Sequence, residues 1–368
     1  MQIQERIYVA GHSGLVGSAL LRNLRASGYS DVVTADHSQM DLTEHGAVRE
    51  FFRKTRPDYV FLAAARVGGI LANSTRPADF LQENLAIAVN VIQESHAAGV
   101  KRLIFLGSSC IYPRACPQPI REEYLLTGPL ENTNRAYALA KIAGIEMCRA
   151  YNLQYGTKFI AAMPTNLYGP GDNYDLETSH VIPALLRKMH ASKMNGENSI
   201  TLWGSGLPRR EFLHVDDLAA ACVFLMRLPP ERYDALVAPR TPFGTPLGTV
   251  FGTVFGTASG SGGAAVTAPP SDVAALDAPI INVGCGEDLT IADLAQLIGK
   301  VVGSRAKIEW DRSQPDGTPR KLLDISRMRA LGWEASICLH DGLATTYRDY
   351  LQQTSSEKAI ERAANASC

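Results

Sequence analysis

Short apolar segments alternate with helical stretches through the first third of the chain, and this alternation constrains the fold more than any other feature. The segments with strand length are 7–10, 32–34, 59–63 and 103–106, and the stretches with helical periodicity are 15–27, 44–54 and 78–98. Continuous apolar strands between helices are typical of a parallel sheet that is covered on both faces. We therefore predict an α/β fold built on a doubly wound parallel sheet of the Rossmann type.

A glycine-rich segment joins the first predicted strand to the first predicted helix. Glycines spaced Gly-x-x-Gly-x-x-Gly allow a tight turn, a close approach of backbone to a pyrophosphate, and close packing of helix on strand. The helix N-terminus then directs free N–H groups and the positive end of its dipole toward phosphates. The sequence thus predicts a dinucleotide site at Gly11, His12, Ser13, Gly14, Leu15, Val16 and Gly17.

An acidic residue, Asp36, follows the second predicted strand about 20 residues after the glycine segment. A carboxylate in this place usually accepts a hydrogen bond from the adenosine ribose 2′-hydroxyl, which favours NAD, whereas NADP requires a cation for its extra phosphate. The neighbouring His37 is only partly charged near neutral pH. Asp41 and Leu42 are placed to meet the adenine. Asp36 could instead cap a turn, and Asp41 could instead mark a helix start.

A Tyr-x-x-x-Lys pair, Tyr137 and Lys141, follows the fourth predicted strand. In a helix these side chains project from one face. A nearby ammonium favours the phenolate, so we expect Lys141 to lower the pKa of Tyr137 and also to hold the nicotinamide ribose. Ser108 lies just past the fourth strand, where its hydroxyl faces the ligand crevice of such a sheet. With the glycine segment, this set identifies the chain as a member of the short-chain dehydrogenase/reductase superfamily.

Proline, glycine and asparagine become frequent from about residue 164, which predicts a smaller second domain. We assign residues 1–170 to the dinucleotide-binding domain, with 212–232 returning to it, and 171–211 and 279–352 to a C-terminal substrate-binding domain. Repeated Gly-Thr pairs predict a flexible insert at 235–278. The polar, alanine-rich tail at 353–368 is expected to be a frayed helix or disordered.

Longer strings resemble the GDP-L-fucose synthase family and cover nearly all of residues 6–350 except the insert. They are Ala64–Ile70, Gly107–Pro113, Met163–Pro170, Ser179–Arg187, Trp203–Gly206, Arg210–Asp217 and Pro315–Lys321. The resemblance implies conversion of GDP-4-keto-6-deoxy-D-mannose to GDP-L-fucose, by 3,5-epimerisation and then NADPH-dependent reduction at C4. It also implies a homodimer.

The resemblance gives roles to residues that the sequence alone leaves open. It makes Cys110 and His180 the acid–base pair of the epimerisation, although read alone Cys110 is a buried thiol and His180 a polar residue at a helix start. It places the GDP-sugar against Lys188, Trp203, Arg210 and Asp316, and the nicotinamide beside Pro164, Thr165, Asn166 and Leu167.

One departure from the family concerns the cofactor. The family commonly carries arginines in the glycine segment and after the second strand, where they suit a 2′-phosphate. Here Ser13, Ala35 and His37 stand in these places, with Asp36 between the last two. The resemblance therefore implies NADP, while Asp36 keeps NAD open.

Charge and cysteine usage narrow the class of protein further. Lys and Arg number 36 and Asp and Glu 37, so the basic excess of a nucleic-acid-binding protein is missing. The seven cysteines form no Cys-x-x-Cys pair, which argues against a structural metal site and suits a reducing compartment. The N-terminal residues lead into a strand, and apolar runs are too short to span a membrane. We expect a cytoplasmic protein with no metal, membrane or nucleic-acid partner.

Two other functions remain open on these residues. A related nucleotide-sugar 4-reductase, of the type that makes GDP-colitose, or a 4-epimerase would use the same Ser, Tyr and Lys. A catalytically silent nucleotide sensor would bind the cofactor without turnover, although such proteins tend to lose the Tyr or the Lys, and Tyr137 and Lys141 are both present.

Overall fold

The computed structural model describes residues 1–175, 178–238, 279–314 and 316–366. The strands are β1 (Ile7–Ala10), β2 (Val32–Val33), β3 (Tyr59–Leu62), β4 (Arg102–Leu106), β5 (Phe159–Pro164), β6 (Asn166–Tyr168), β7 (Ser199–Trp203), β8 (Arg209–Arg210), β9 (Phe212–His214), β10 (Ile280–Val283), β11 (Leu289–Thr290), β12 (Lys307–Asp311) and β13 (Arg320–Lys321). The helices are α1 (Leu15–Ala26), α2 (His45–Thr55), α3 (Ile70–Thr75), α4 (Pro77–Ala97), α5 (Arg135–Tyr155), α6 (Val181–Asn195), α7 (Val215–Arg227), α8 (Pro230–Val237), α9 (Ile291–Val302), α10 (Ser326–Ala330) and α11 (Leu339–Ala366). None of these helices is long and apolar enough to cross a lipid bilayer.

A six-stranded parallel sheet with the order β2-β1-β3-β4-β5-β10 forms the centre of the fold. Every residue of β1, β3, β4, β5 and β10 is buried, and apart from Arg102 and Asn282 their side chains are apolar or aromatic. The chain goes from β1 to β2 on one side and then returns to β3 on the other. This reversal opens a crevice at the carboxyl ends of β1 and β3. The predicted doubly wound parallel sheet is confirmed.

The two faces of the sheet carry separate apolar cores, because alternate side chains of each strand point to opposite faces. Ile7 and Val9 of β1 join a core with α1 and α7. Tyr8 and Ala10 of the same strand join a core with α2, α4 and α5. A third core lies among α6, α9 and α11, with Leu186, Ile298 and Leu343 at its centre. The residues that α7 shares with α1 and β1 in the first core show that 215–227 packs on the sheet.

The strand β10 differs from the sequence assignment, which placed residue 279 and those after it in the substrate-binding part. Ile280–Val283 instead pairs in parallel with β5 and forms an edge of the main sheet. The reason is that this short apolar segment needs a partner strand on one side and helices on both faces, and the edge beside β5 supplies them. Most of the predicted insert, 239–278, lies outside the described residues, and the predicted tail continues α11 as helix to Ala366.

Candidate active site

A cleft of about 760 Å³ lies at the carboxyl ends of β1, β3, β4 and β5. It contains most of the residues predicted from sequence to bind the cofactor. Those that line it are Gly11, His12, Ser13, Gly14, Leu15, Val16, His37, Asp41, Leu42, Lys141, Pro164, Thr165, Asn166 and Leu167. The cleft is therefore long enough to connect the end of β2 with the helix α6, and its volume is in the range of ligand sites.

The glycine segment forms the floor of this cleft for a reason that its geometry shows. Gly11 has φ +80°, and a Cβ there would lie 2.6 Å from the backbone of Ala64. A Cβ at Gly17 would lie 2.0 Å from the carbonyl oxygen of Gly11, so Gly17 serves packing and does not line the cleft. Gly14 caps α1 in extended conformation, which leaves the first N–H groups of α1 open toward the cleft. These features fit a bound diphosphate.

The acidic residues after β2 occupy the far end of the cleft. Asp36 lies at the rim, where its Oδ1 is 3.2 Å from Nε2 of His12, and its side chain is 61% exposed. Asp41 lines the cleft, but its Oδ1 accepts hydrogen bonds from the backbone N–H and hydroxyl of Thr43, each at 2.8 Å. These bonds hold the pKa of Asp41 below its usual range. Asp41 thus stabilises the turn before α2 while it also lines the cleft, and its predicted contact with the adenine stays a prediction.

The helix α5 presents Tyr137 and Lys141 one turn apart on the cleft wall. Nζ of Lys141 donates to the carbonyl oxygen of Leu106 at 2.7 Å and lies 4.7 Å from the centre of the Phe105 ring. Burial lowers the pKa of Lys141 to about 8. The ammonium is therefore held in place by the end of β4, next to the loop that carries Ser108.

The acidity of Tyr137 differs from the sequence expectation. Burial raises the pKa of Tyr137, and the charge of Cys110 raises it further, so Lys141 does not produce the expected lowering. The first cause is burial, and Lys141 directs its ammonium to the carbonyl oxygen of Leu106, with Nζ 5.7 Å from the centre of the Tyr137 ring. Tyr137 therefore keeps its proton, which suits a proton donor rather than a base.

Ser108 and Cys110 lie together in a short 3₁₀ turn after β4. Oγ of Ser108 accepts a hydrogen bond from the backbone N–H of Cys110 at 3.4 Å, and Ser108 lines the cleft. Cys110 is 7% exposed and lies behind the cleft lining. Burial raises the pKa of its thiol, while the charges of Lys321 and Lys141 oppose this rise.

His180 stands on the opposite wall of the cleft, in the position that caps α6. It is exposed to the cleft, and the surrounding protein lowers its pKa by desolvation. A lowered pKa favours the neutral ring near neutral pH, the form that can accept a proton. The cleft therefore brings His180 together with Ser108, Tyr137 and Lys141, with Cys110 directly behind.

Comparison with known proteins places this arrangement in a family. The family model described as NAD dependent epimerase/dehydratase family matches residues 7–235. GDP-L-fucose synthase 1 of Arabidopsis thaliana is 47% identical over 94% of this chain and 93% of its own length, and GDP-L-fucose synthase of Escherichia coli (strain K12) is 45% identical over 95% and 97%. The chain belongs to the GDP-L-fucose synthase family. A solved GDP-mannoheptose C4 reductase of Campylobacter jejuni with NADP bound, MlghC, has a TM-score of 0.75, with 34% identity over 95% of this chain and 99% of that one.

The segment that the family resemblance places beside the nicotinamide is fixed by Glu211, a residue that the sequence analysis did not single out. The backbone carbonyl of Glu211 accepts from Nδ2 of Asn166 at 2.8 Å and from Oγ1 of Thr165 at 3.2 Å. Its fully buried carboxylate accepts from the N–H of Gly286 at 2.7 Å and that of Leu323 at 2.9 Å. Glu211 therefore joins the cofactor wall to the C-terminal part of the chain. A single acidic residue between two short strands gives no sequence signal of such a role.

The four residues that the resemblance assigns to the GDP-sugar lie outside the cofactor cleft. Lys188 donates to the carbonyl of Thr201 in β7, and Trp203 at the end of β7 is 75% exposed. Arg210 donates to the carbonyl of Thr318 at 2.6 Å, and burial lowers its pKa. The carboxylate of Asp316 accepts from the N–H and hydroxyl of Ser205 at 2.9 and 2.6 Å. These residues come from α6, β7, β8 and the loop before β13.

Two further residues connect to the site without a prior assignment. Lys321 of β13 pairs in register with Arg210 of β8. Its charge opposes the rise in the pKa of the Cys110 thiol more strongly than the charge of Lys141 does. Asp172 lines the cleft, is only 7% exposed, and accepts from the N–H of Asn173 at 2.8 Å. Its Oδ2 is buried and has no hydrogen-bond partner among the described residues. Lys321 ends the string Pro315–Lys321 of the family resemblance and Asp172 follows the string Met163–Pro170, but the surroundings of both residues depend on long-range packing.

Proposed function

We propose that this protein converts GDP-4-keto-6-deoxy-D-mannose to GDP-L-fucose, by epimerisation at C3 and C5 followed by reduction of the C4 ketone. The observation that carries the proposal is one cleft that combines Ser108, Tyr137 and Lys141 with His180, while Cys110 lies behind Ser108. The names of relatives at 45–47% identity support this two-step reaction over a colitose-type reductase or a 4-epimerase.

The epimerisation requires two proton-exchanging groups. The C4 ketone acidifies the hydrogens at C3 and C5, so that a base of ordinary strength removes a proton from one face of the ring and an acid returns one to the other. Cys110 and His180 fit because desolvation lowers the pKa of His180, which favours the neutral ring that can take the proton. Burial raises the pKa of Cys110 against the opposing charges of Lys321 and Lys141, so Cys110 holds a thiol proton that it can return to the other face of the ring. Thiol and imidazole groups exchange protons efficiently near neutral pH.

The reduction requires a proton donor at the C4 oxygen. The cofactor, when bound, supplies a hydride. Tyr137 gives its proton to the oxygen as the ketone becomes an alcohol, and burial keeps Tyr137 protonated beforehand. Ser108 donates a hydrogen bond to the same oxygen, and Lys141, held by Leu106, positions the nicotinamide ribose. The glycine segment from Gly11 to Gly17 would hold the diphosphate.

The cofactor, assembly and location of the protein follow as parts of this proposal. The NADP of MlghC supports NADPH as an accepted hydride donor. A homodimer through α4 and α5 is supported by apolar side chains that these helices leave exposed, at Val89, Leu139 and Leu153. Unpaired cysteines among the described residues suit the cytoplasm.

The test is oxidation of NADPH and of NADH by purified protein with GDP-4-keto-6-deoxy-D-mannose, with identification of the sugar product. The proposal expects GDP-L-fucose and one reduced nicotinamide consumed per sugar. A product that is reduced at C4 but not epimerised would refute the proposed roles of Cys110 and His180 in the epimerisation. Nucleotide binding without turnover of the keto-sugar would refute the proposed activity as a whole.

A further inference from the structure

The end of the cleft beside β2 carries a carboxylate in a fixed position. Asp36 directly follows the residue Ala35, which lines the cleft, and precedes His37, which also lines it. The backbone of Asp36 is held by Gln39, since its N–H donates to Oε1 of Gln39 at 3.1 Å and its carbonyl accepts from the N–H groups of Gln39 and Met40, each at 2.9 Å. The carboxylate of Asp36 therefore projects from a turn held by hydrogen bonds, after β2, where a dinucleotide places its adenosine ribose.

His12 fixes the side chain of Asp36 from the glycine segment. Nε2 of His12 is 3.2 Å from Oδ1 of Asp36, so one carboxylate oxygen is directed toward the residues that cradle the diphosphate. The side chain of Asp36 is nevertheless 61% exposed, which leaves it accessible to a hydroxyl group of a ligand. A ribose 2′-hydroxyl can donate to this carboxylate, whereas a 2′-phosphate brings only negative charge and acceptor oxygens.

The cations around the cleft do not compensate this charge. Among the described lining residues, arginine and lysine occur at Arg66 and Lys141. Lys141 is bonded to the carbonyl of Leu106, and Arg66 pairs with Glu83 and lies 3.5 Å from Asp79. The two histidines at the β2 end each face a carboxylate, His12 facing Asp36 and His37 facing Asp41 at 3.8 Å. Ser13 and Ala35 add no charge.

We infer that Asp36, positioned by His12, makes this cleft selective for the 2′-hydroxyl of NADH over the 2′-phosphate of NADPH. Asp36 is then the specificity-determining residue and His12 a positioning residue. The inference rests on the proposed function only for the identity of the sugar, because the choice between two dinucleotides can be measured by binding alone. NADPH remains a substrate, at a lower kcat/KM.

The experiment compares NADH and NADPH in two assays on the full-length protein. The first is turnover of GDP-4-keto-6-deoxy-D-mannose, and the second is equilibrium binding of each dinucleotide without sugar, followed by nicotinamide fluorescence. A carboxylate facing a phosphate costs enough to give a preference for NADH of roughly 10- to 100-fold in kcat/KM and in Kd. Because the repulsion is partly exposed to solvent, added salt should narrow this preference.

The variant Asp36→Asn removes the charge and keeps an acceptor for His12. It should raise kcat/KM for NADPH by roughly tenfold and lower that for NADH by a few-fold. Glu44→Gln is the matched control, since Glu44 is an exposed acid before α2 that does not line the cleft, and its NADH/NADPH ratio should equal that of the parent. In His12→Ala, KM for NADH should rise by a larger factor than that by which kcat falls. Equal factors for KM and kcat would indicate that His12 has a merely structural role.

The outcomes separate the two hypotheses. Equal or better use of NADPH by the parent protein, in turnover and in binding, overturns the inference and leaves the proposed reaction intact. Preferential binding of NADH without turnover of the sugar supports the inference and refutes the proposed function. An Asp36→Asn variant with the parental ratio would also overturn it, since the preference would then arise elsewhere.

Discussion

The buried carboxyl group of Asp172 makes the stability of this protein depend on pH in a way that a single substitution can isolate. Burial is the first cause of its raised pKa, and the neighbouring charge of Asp349 adds to it, so that the pKa rises from 3.8 to about 7. In the unfolded chain the same group loses its proton near its ordinary pKa. Asp172→Asn keeps the shape and the acceptor for the N–H of Asn173 while removing the ionisation.

The sign and size follow from these two pKa values. Below about pH 4 both states hold the proton and the group contributes no penalty. As pH rises toward 7, the unfolded chain releases the proton while the folded protein retains it, so the folded protein loses stability. Above pH 7 both states are ionised, and the loss reaches its full value. A pKa difference from 3.8 to about 7 corresponds to about 4 kcal/mol.

The assay is urea-induced unfolding of the parent protein and Asp172→Asn between about pH 5 and about pH 8. The difference in free energy of unfolding should grow by roughly 2 to 3 kcal/mol in favour of the variant across this range, and then level off. Other titrating groups are shared by both proteins and cancel in the difference. Asp349→Asn in the parent should move the same transition to lower pH, because it removes a charge that raises the pKa of Asp172. A difference independent of pH would refute the reasoning.

Three further predictions concern the site. Tyr137→Phe should lower kcat for ketone reduction by roughly 100-fold or more while the Kd of the dinucleotide changes little, as measured by turnover and fluorescence titration; a near-normal kcat would exclude Tyr137 as the proton donor. Cys110→Ala should abolish deuterium uptake at C3 and C5 of the keto-sugar in D₂O without dinucleotide, followed by NMR, and unchanged uptake would return Cys110 to a buried thiol. Glu211→Ala should lower the free energy of unfolding by roughly 2 to 6 kcal/mol, because the N–H groups of Gly286 and Leu323 lose their buried acceptor, and Glu211→Gln, which keeps one acceptor, should lose about half as much by urea unfolding.

The parts of the structure that local spacing determines could be predicted from sequence. The strand Ile7–Ala10 has the predicted bounds, and α1 and α4 begin within a residue of the predicted start. The glycine segment lies at the predicted turn. A Cβ at each of its glycines would meet backbone a few residues away or just past the next strand of the sheet. The positions of Ser108 and Lys141 on one cleft follow from the parallel sheet, whose strands all end on the same side.

The parts that depend on distant segments could not be predicted in this way. Ile280–Val283 has the composition of any buried strand, and its place beside β5 is set by an edge that local sequence does not describe. The acidity of Tyr137 depends on its burial and on the neighbouring Cys110, rather than on the spacing of Tyr137 and Lys141. Glu211 and Asp172 gain their roles from backbone groups and charges far along the chain.

The late position of β10 in the chain has a consequence for how the protein is made. A nascent chain that has left the ribosome as far as β5 carries an open sheet edge, and this edge is covered only when residues 280–283 have emerged. Exposed strand edges invite pairing with other chains, so this interval is the one in which synthesis is most vulnerable to aggregation. A fragment that ends before residue 280 would keep this edge open, so we expect it to aggregate more readily than the whole chain.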